Sequence, residues 1–230
     1  ARLDALGLVY GCGCSRAEIA ARARTGLEGP IYPGTCRSGL PTGRRARSLR
    51  LRTATDPIDF EDRIQGRQGH SVAESIGDFV LRRADGLHAY QLAVVVDDAW
   101  QAVTHVVRGA DLLLSTPRQI GLQQALGLTT PSHAHVPLVI DDRGRKLSKS
   151  LAAAPVDDDD PLPALRLAWH LLGQEPLDDA GSPRAFWRRA AVAWRIECVP
   201  PGSSVSFRRE PGTEAQAAAI TRLRPLSLAR

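Results

Sequence analysis

Methionine is absent from all 230 residues, including position 1. A translated chain normally begins with one, so Ala1 is not expected to be the natural start. No apolar run reaches the roughly 18–20 residues that cross a bilayer, so no membrane span or membrane partner is expected. The opening ARLDALGLVYGC is broken by Asp4 before any long apolar core, so this stretch is not expected to be a secretory signal, and a cytoplasmic location is the expectation. Aromatic residues make up only 5% of a chain that is 43% hydrophobic, an ordinary balance for a globular protein. Cysteine is scarce but clustered: Cys12, Cys14 and Cys36 fall within 25 residues, and Cys198 stands apart. Without a secretory signal, such a cluster speaks for metal more than for disulfides. Lysine is nearly missing. Of 30 basic side chains, only Lys146 and Lys149 are lysines.

That shortage turns attention to the place where lysine is kept, RGRKLSKS at 143–150. Arginine is a planar fork, whereas lysine is a compact, mobile point charge able to follow a phosphate. A net charge of +5 suits a polyanionic partner, although a solvated, arginine-rich surface accounts for it equally.

Along the chain, Leu3, Leu6 and Leu8 give a short helical pattern leading into the cysteines, followed by an Ala/Arg stretch from Ala17 to Arg24. The Gly- and Pro-dense GLEGPIYPGTCRSGLPTGRR marks loops, so the cysteines are expected on a small irregular knuckle. LRLRTA and GDFVLRR, between 49 and 83, read as strands. From 88 to 150 the pattern is α/β. LAVVVDD is a nearly continuous β-branched run, expected as a buried strand, and VTHVVRG as a second. STPRQIGLQQALG reads as a helix with Thr116 as N-cap, Pro117 in the first turn, Gln119 three residues on, and Gly127 closing it. HVPLVIDD is a further strand, and the lysine loop leaves its end, where open α/β sheets bind ligands. After the acidic linker PVDDDDPLP come two amphipathic helices, ALRLAWHLLGQ and SPRAFWRRAAVAWR, expected to pack through Trp169, Trp187 and Trp194. No strong pattern follows Pro200.

KLSKS resembles the KMSKS signature of class I aminoacyl-tRNA synthetases, with leucine in place of methionine. AYQLAVVVDD (89–98), THVVRGADLL (104–113), STPRQI (115–120) and AHVPLVIDDRGRKLSKS resemble, in order, stretches of the glutamyl branch of that family. Val94 stands where ordinary glutamyl-tRNA synthetases tend to carry asparagine, which resembles the shorter glutamyl-Q tRNA(Asp) paralogues and predicts weaker glutamate binding.

The resemblance implies a Rossmann-like α/β catalytic core with a small zinc-bearing insertion and a short C-terminal helical region. The expected segments are 1–83 (zinc-bearing connecting region), 84–155 (second half of the Rossmann-like domain), 156–200 (helices) and 201–230 (unpatterned tail). It implies Lys149 as the main ATP-contacting lysine with Lys146 assisting, in an ATP loop completed by Leu147, Ser148 and Ser150. Two ammonium groups on a mobile loop stabilise charge as it develops on leaving phosphates. Tyr90 and Arg108 are implied as glutamate-binding residues; for Arg108 the alternative is a structural ion pair with Asp97, Asp98 or Asp111. Cys12 and Cys14, followed by Tyr32 and Cys36, match the family's zinc pattern, but the spacer before Tyr32 is long enough that water or another side chain is the alternative fourth ligand. The implied partners are L-glutamate, ATP with magnesium, and tRNA(Asp) bearing queuosine, with the protein acting as a monomer.

The family's first signature, an HIGH-like stretch, is not found, and QGH at 68–70 is no substitute. The chain is therefore expected to lack an N-terminal part of the enzyme and to be inactive alone. A glutamyl-tRNA synthetase charging tRNA(Glu), and a non-catalytic RNA- or zinc-binding relic, are the alternative readings.

Overall fold

A computed structural model describes residues 1–141, 143–147, 156–177 and 180–206. The chain divides into two compact units, 1–135 and 136–230, a cut that falls at neither 83/84 nor 155/156.

The first unit opens with α1 (Arg2–Ala5), β1 (Val9–Cys12) and α2 (Arg16–Ala20), then the short ladder β2 (Thr25–Gly26) and β3 (Gly29–Pro30). α2 is held by a capping box: the Ser15 hydroxyl accepts from Glu18 N at 3.2 Å, and Ser15 N donates to Glu18 Oε2 at 2.8 Å. β4 (Ser48–Leu51) follows, then the hairpin β5 (Ile58–Asp62) and β6 (Gly66–His70), α3 (Val72–Ser75) and β7 (Val80–Arg82). The unit ends with α4 (Tyr90–Trp100), β8 (His105–Gly109), α5 (Ser115–Leu126) and β9 (Ser132–Val136).

These strands form an antiparallel sheet ordered β1-β4-β7 and a mixed sheet ordered β6-β5-β9-β8, in which β5 and β9 run parallel. Leu3, Leu51, Val72, Phe79, Leu81, Val95 and Leu122 form one buried cluster joining the first sheet to α4 and α5.

Three expectations need correcting here. LAVVVDD is a helix, not a strand. Alternation would put Val94 and Val96 on one face; instead Val95 is 1% exposed and Val96 47%, and Leu92, one helical turn before Val95, packs on the same core. Burial on a helical face outweighs the few tenths of a kcal/mol per residue that β-branching costs a helix. The STPRQI helix does close at Gly127, left-handed at φ +64°, but its N-cap is Leu114, and Thr116 lies buried inside the first turn. HVPLVIDD is split at Pro137, which lacks an N–H, so β9 ends at Val136 and the next strand begins at Leu138.

In the second unit, β10 (Leu138–Ile140) precedes α6 (Leu162–Leu171), α7 (Pro183–Ala193) and β11 (Ser204–Ser206). β11 pairs in parallel with β10, so the stretch expected to be unpatterned contributes a strand. Trp169, Ala180, Phe186 and Ala190 form the unit's core. Trp169 meets Phe186 edge-on at 5.8 Å and Trp194 at 5.9 Å, and its indole N–H donates to Glu175 O at 2.6 Å. Trp187, expected to pack, is 58% exposed because it falls on the outer face of α7. No described helix is long and apolar enough to cross a membrane.

Candidate active site and cysteine centre

Arg108 is the next-to-last residue of β8, and α4 begins with Tyr90; the fold brings the two within hydrogen-bonding reach. Tyr90 is 51% exposed. Arg108 is held on one edge. Its Nε donates to His135 Nε2 at 2.9 Å, and its Nη2 donates to Thr116 Oγ1 at 2.8 Å and to Leu112 O at 3.3 Å. Burial draws the guanidinium below its usual value, opposed by Tyr90, Asp98 and Asp62. Behind it, His135 Nδ1 donates to Asp62 Oδ2 at 2.6 Å, and both side chains are fully buried. Asp62 Oδ1 accepts from the backbone N–H groups of Ile64, Gln65 and His135 at 2.9–3.1 Å. Burial opposes ionisation of this carboxyl, yet these donors outweigh it and hold it at about 2.

Asp62 and His135 were not singled out from sequence, and Thr116 was read there only as a helix N-cap. Asp62 and His135 lie 73 positions apart. The available signal was the paired histidines of SHAHV, alternating along a strand beside the quoted motif. Val94, expected to stand in for a substrate-holding amide, packs partly buried against the core cluster.

In the lysine loop, Lys146 bridges to Ile140, Leu147 N donates to Val139 O at 2.9 Å, and the turn is closed by Arg145 on Asp141 at 2.8 Å. Lys146 and Leu147 are exposed. Ser148, Lys149 and Ser150 lie outside the described residues.

β1 delivers Cys12 to a knuckle that also gathers Cys14, Cys36 and Tyr32. The three sulfurs lie within 4.8 Å of one another, with Cys14 and Cys36 at 3.7 Å. Tyr32 Oη is 3.3 Å from Cys12 Sγ and 3.8 Å from Cys14 Sγ, and it accepts from Cys36 N at 2.9 Å. The long spacer therefore does not displace Tyr32: α2 and the β2–β3 ladder absorb the extra residues. Burial pushes the Cys12 thiol up, but bonds from Tyr32 and Arg50 draw it down to about 7, while burial raises Cys14. The Arg50 guanidinium lies 3.9 Å over the Tyr32 ring and donates to Asp78 O at 2.7 Å. Buried Asp78 also accepts from Tyr10, Arg37 and Thr53, tying the knuckle to the start of β7. This group of thiols and a phenol can hold a metal ion. Cys198 is exposed and takes no part.

An α/β fold together with a KLSKS stretch points to the class of ligases that activate amino acids. The match to family models places residues 36–173 in the class I tRNA synthetases (E and Q), catalytic domain. The chain belongs to this family, and its core is accordingly the Rossmann-like α/β fold. It is 50% identical over 201 residues to the glutamyl-Q tRNA(Asp) synthetase of Chromobacterium violaceum, covering 87% of this chain and 67% of that protein. The protein of the same name from Bordetella bronchiseptica is 54% identical over 197 residues, covering 84% and 61%. The chain thus spans about two thirds of the length of such relatives. In fold it is similar to the glutamate-tRNA synthetase of Elizabethkingia anophelis, at a TM-score of 0.66 and 21% identity, covering 91% of this chain and 49% of that one.

Proposed function

We propose that the protein activates L-glutamate with ATP and transfers it to queuosine in the anticodon of tRNA(Asp). In the first step a carboxylate oxygen of glutamate attacks the α-phosphorus of magnesium-bound ATP. Pyrophosphate leaves, and a glutamyl-adenylate anhydride remains. A hydroxyl of the queuosine diol then attacks the acyl carbon, loses its proton, and expels AMP to leave an ester. The observation that carries this reading is Arg108, clamped along one edge by His135 and Thr116 and within hydrogen-bonding reach of Tyr90, an arrangement suited to a carboxylate. The names of the relatives support the choice of amino acid and acceptor. Lys149 and Lys146, within the ATP loop of Leu147, Ser148 and Ser150, are assigned to the departing phosphates.

The cysteine centre is read as a structural zinc site with Cys12, Cys14, Cys36 and Tyr32 as ligands. Tetrahedral Zn–S bonds of about 2.3 Å place two sulfurs about 3.8 Å apart. The Cys14–Cys36 separation of 3.7 Å fits that spacing.

The test is ATP–pyrophosphate exchange by the full-length protein without tRNA. Glutamate should support exchange, glutamine and aspartate should not, and Arg108→Ala should raise the glutamate KM by about a hundredfold. Exchange indifferent to the amino acid, or strictly requiring tRNA, contradicts the reading.

A further inference from the structure

We propose that Asp62 and His135 are positioning residues for Arg108, and that the uncharged imidazole between them fixes the guanidinium while leaving its charge for the substrate. The inference rests on Arg108 being the glutamate-binding arginine. Four elements converge to build it: Asp62 ends β5, Arg108 lies on β8, His135 on β9 and Thr116 in the first turn of α5.

The direction of the hydrogen bonds fixes the proton. A guanidinium N–H only donates, so His135 Nε2, 2.9 Å from Arg108 Nε, must offer its lone pair. The ring proton then sits on Nδ1 and points at Asp62 Oδ2, 2.6 Å away. The carboxylate is fit for that role, being held ionised by three backbone N–H donors and the ring. Arg108 Nε and Nη2 lie along one edge of the planar fork, and both are engaged, by His135 and by Thr116. The guanidinium is planar already, and the two bonds stop it turning about Cδ–Nε, so its free edge is held in one direction.

A carboxylate bonded directly to Arg108 would hold it as firmly, but would occupy the fork and neutralise it. Interposing a neutral ring transmits the orientation and keeps the two charges apart. The ligand's carboxylate is then the partner that completes the charge balance of the pocket.

The experiment compares His135→Gln, His135→Asn and Asp62→Asn with Arg108→Ala in the full-length protein. The readouts are KM for glutamate, KM for ATP, kcat and thermal melting. A glutamine amide oxygen reaches the place of Nε2, whereas an asparagine amide reaches only that of Nδ1. His135→Asn should therefore raise the glutamate KM by about tenfold and leave the ATP KM within about twofold, while His135→Gln recovers most of the affinity at equal melting temperature. Asp62→Asn should behave as His135→Asn does, because its amide donates to Nδ1, drives the proton to Nε2 and sets N–H against N–H. Long-range proton–nitrogen NMR correlations of wild-type His135 should show the Nδ1–H tautomer. Equal glutamate KM values in the glutamine and asparagine variants, or an Nε2–H tautomer, overturn the proposal. If Arg108→Ala leaves the glutamate KM unchanged, the pocket assignment is what fails, and the tautomer still decides whether Arg108 is held in this way.

Discussion

His133 sits two positions before His135 on β9, buried, with its ring stacked at 6.2 Å on that of His135 and edge-on to Phe60 at 6.1 Å. Burial, with Arg108 and His135 nearby, lowers it from 6.5 to about 4, against the pull of Asp62. The sign follows from the depressed value. Above pH 6.5 the ring is neutral folded and unfolded; below it, the unfolded chain takes up a proton that the folded chain refuses. Stability should therefore fall by about 2 kcal/mol between pH 7 and 5. Chemical denaturation at those two pH values should show that loss in the wild type and much less of it in His133→Gln; identical slopes would remove the claim. At the same scale, Cys12→Ser and Cys36→Ser should each lower bound zinc from one per chain to near none by elemental analysis, and lower the melting temperature. An unchanged zinc content would place the metal elsewhere. The cysteines were legible in sequence because a ligand set needs particular residue types at short spacing. Asp78, Arg50 and the Asp62–His135 pair were not, because hydrogen bonds across tens of residues leave no periodicity to find.

Elements were legible where punctuation and period agree. α5 has its expected glycine stop, although it starts at Ser115 rather than after a Thr116 cap, and α7, with its Ser182 cap and Pro183 start, forms as a helix where one was expected. α4 failed because three consecutive valines look like strand on composition alone, and only the placement of the core shows which face they use. β5 and β6 fall within the 49–83 stretch read as strands but were not singled out: IDFED alternates Ile58 and Phe60 with acids over only one turn of pleat, and GRQGH carries no apolar side chain. The helix ends make a test of their own. Gly127 and Gly173 share left-handed φ values of +64° and +70°, but a Cβ at 127 would meet the far end of the Arg2 side chain at 3.0 Å, whereas at 173 it would lie 2.1 Å from the Cys198 carbonyl oxygen. Gly127→Ala should cost about 1–2 kcal/mol for the left-handed conformation alone. Gly173→Ala should cost at least about 2 kcal/mol more, since backbone must move. Equal midpoints in urea would show that Gly173 does not meet that carbonyl.

At the scale of the whole molecule, a chain of 28 arginines keeps its two lysines in one loop. If they follow phosphate charge during activation, Lys149→Ala should slow glutamate-dependent ATP–pyrophosphate exchange about 10²–10³-fold, as loss of one preorganised donor does. Lys149→Arg should recover little, because a planar fork does not replace a mobile point charge. Near-normal exchange in both variants would sever the loop from the chemistry. If the net charge of +5 supplies phosphate contacts that tolerate sequence, the identity of the RNA must be read from the acceptor itself. The most direct measurement is the transfer of radioactive glutamate by the full-length protein to purified tRNAs. The account predicts label on tRNA(Asp) that carries queuosine, lost on mild base or after prior periodate oxidation of the diol, and none on tRNA(Glu) or on tRNA(Asp) lacking queuosine. Efficient charging of tRNA(Glu), or equal labelling of both forms of tRNA(Asp), would contradict it.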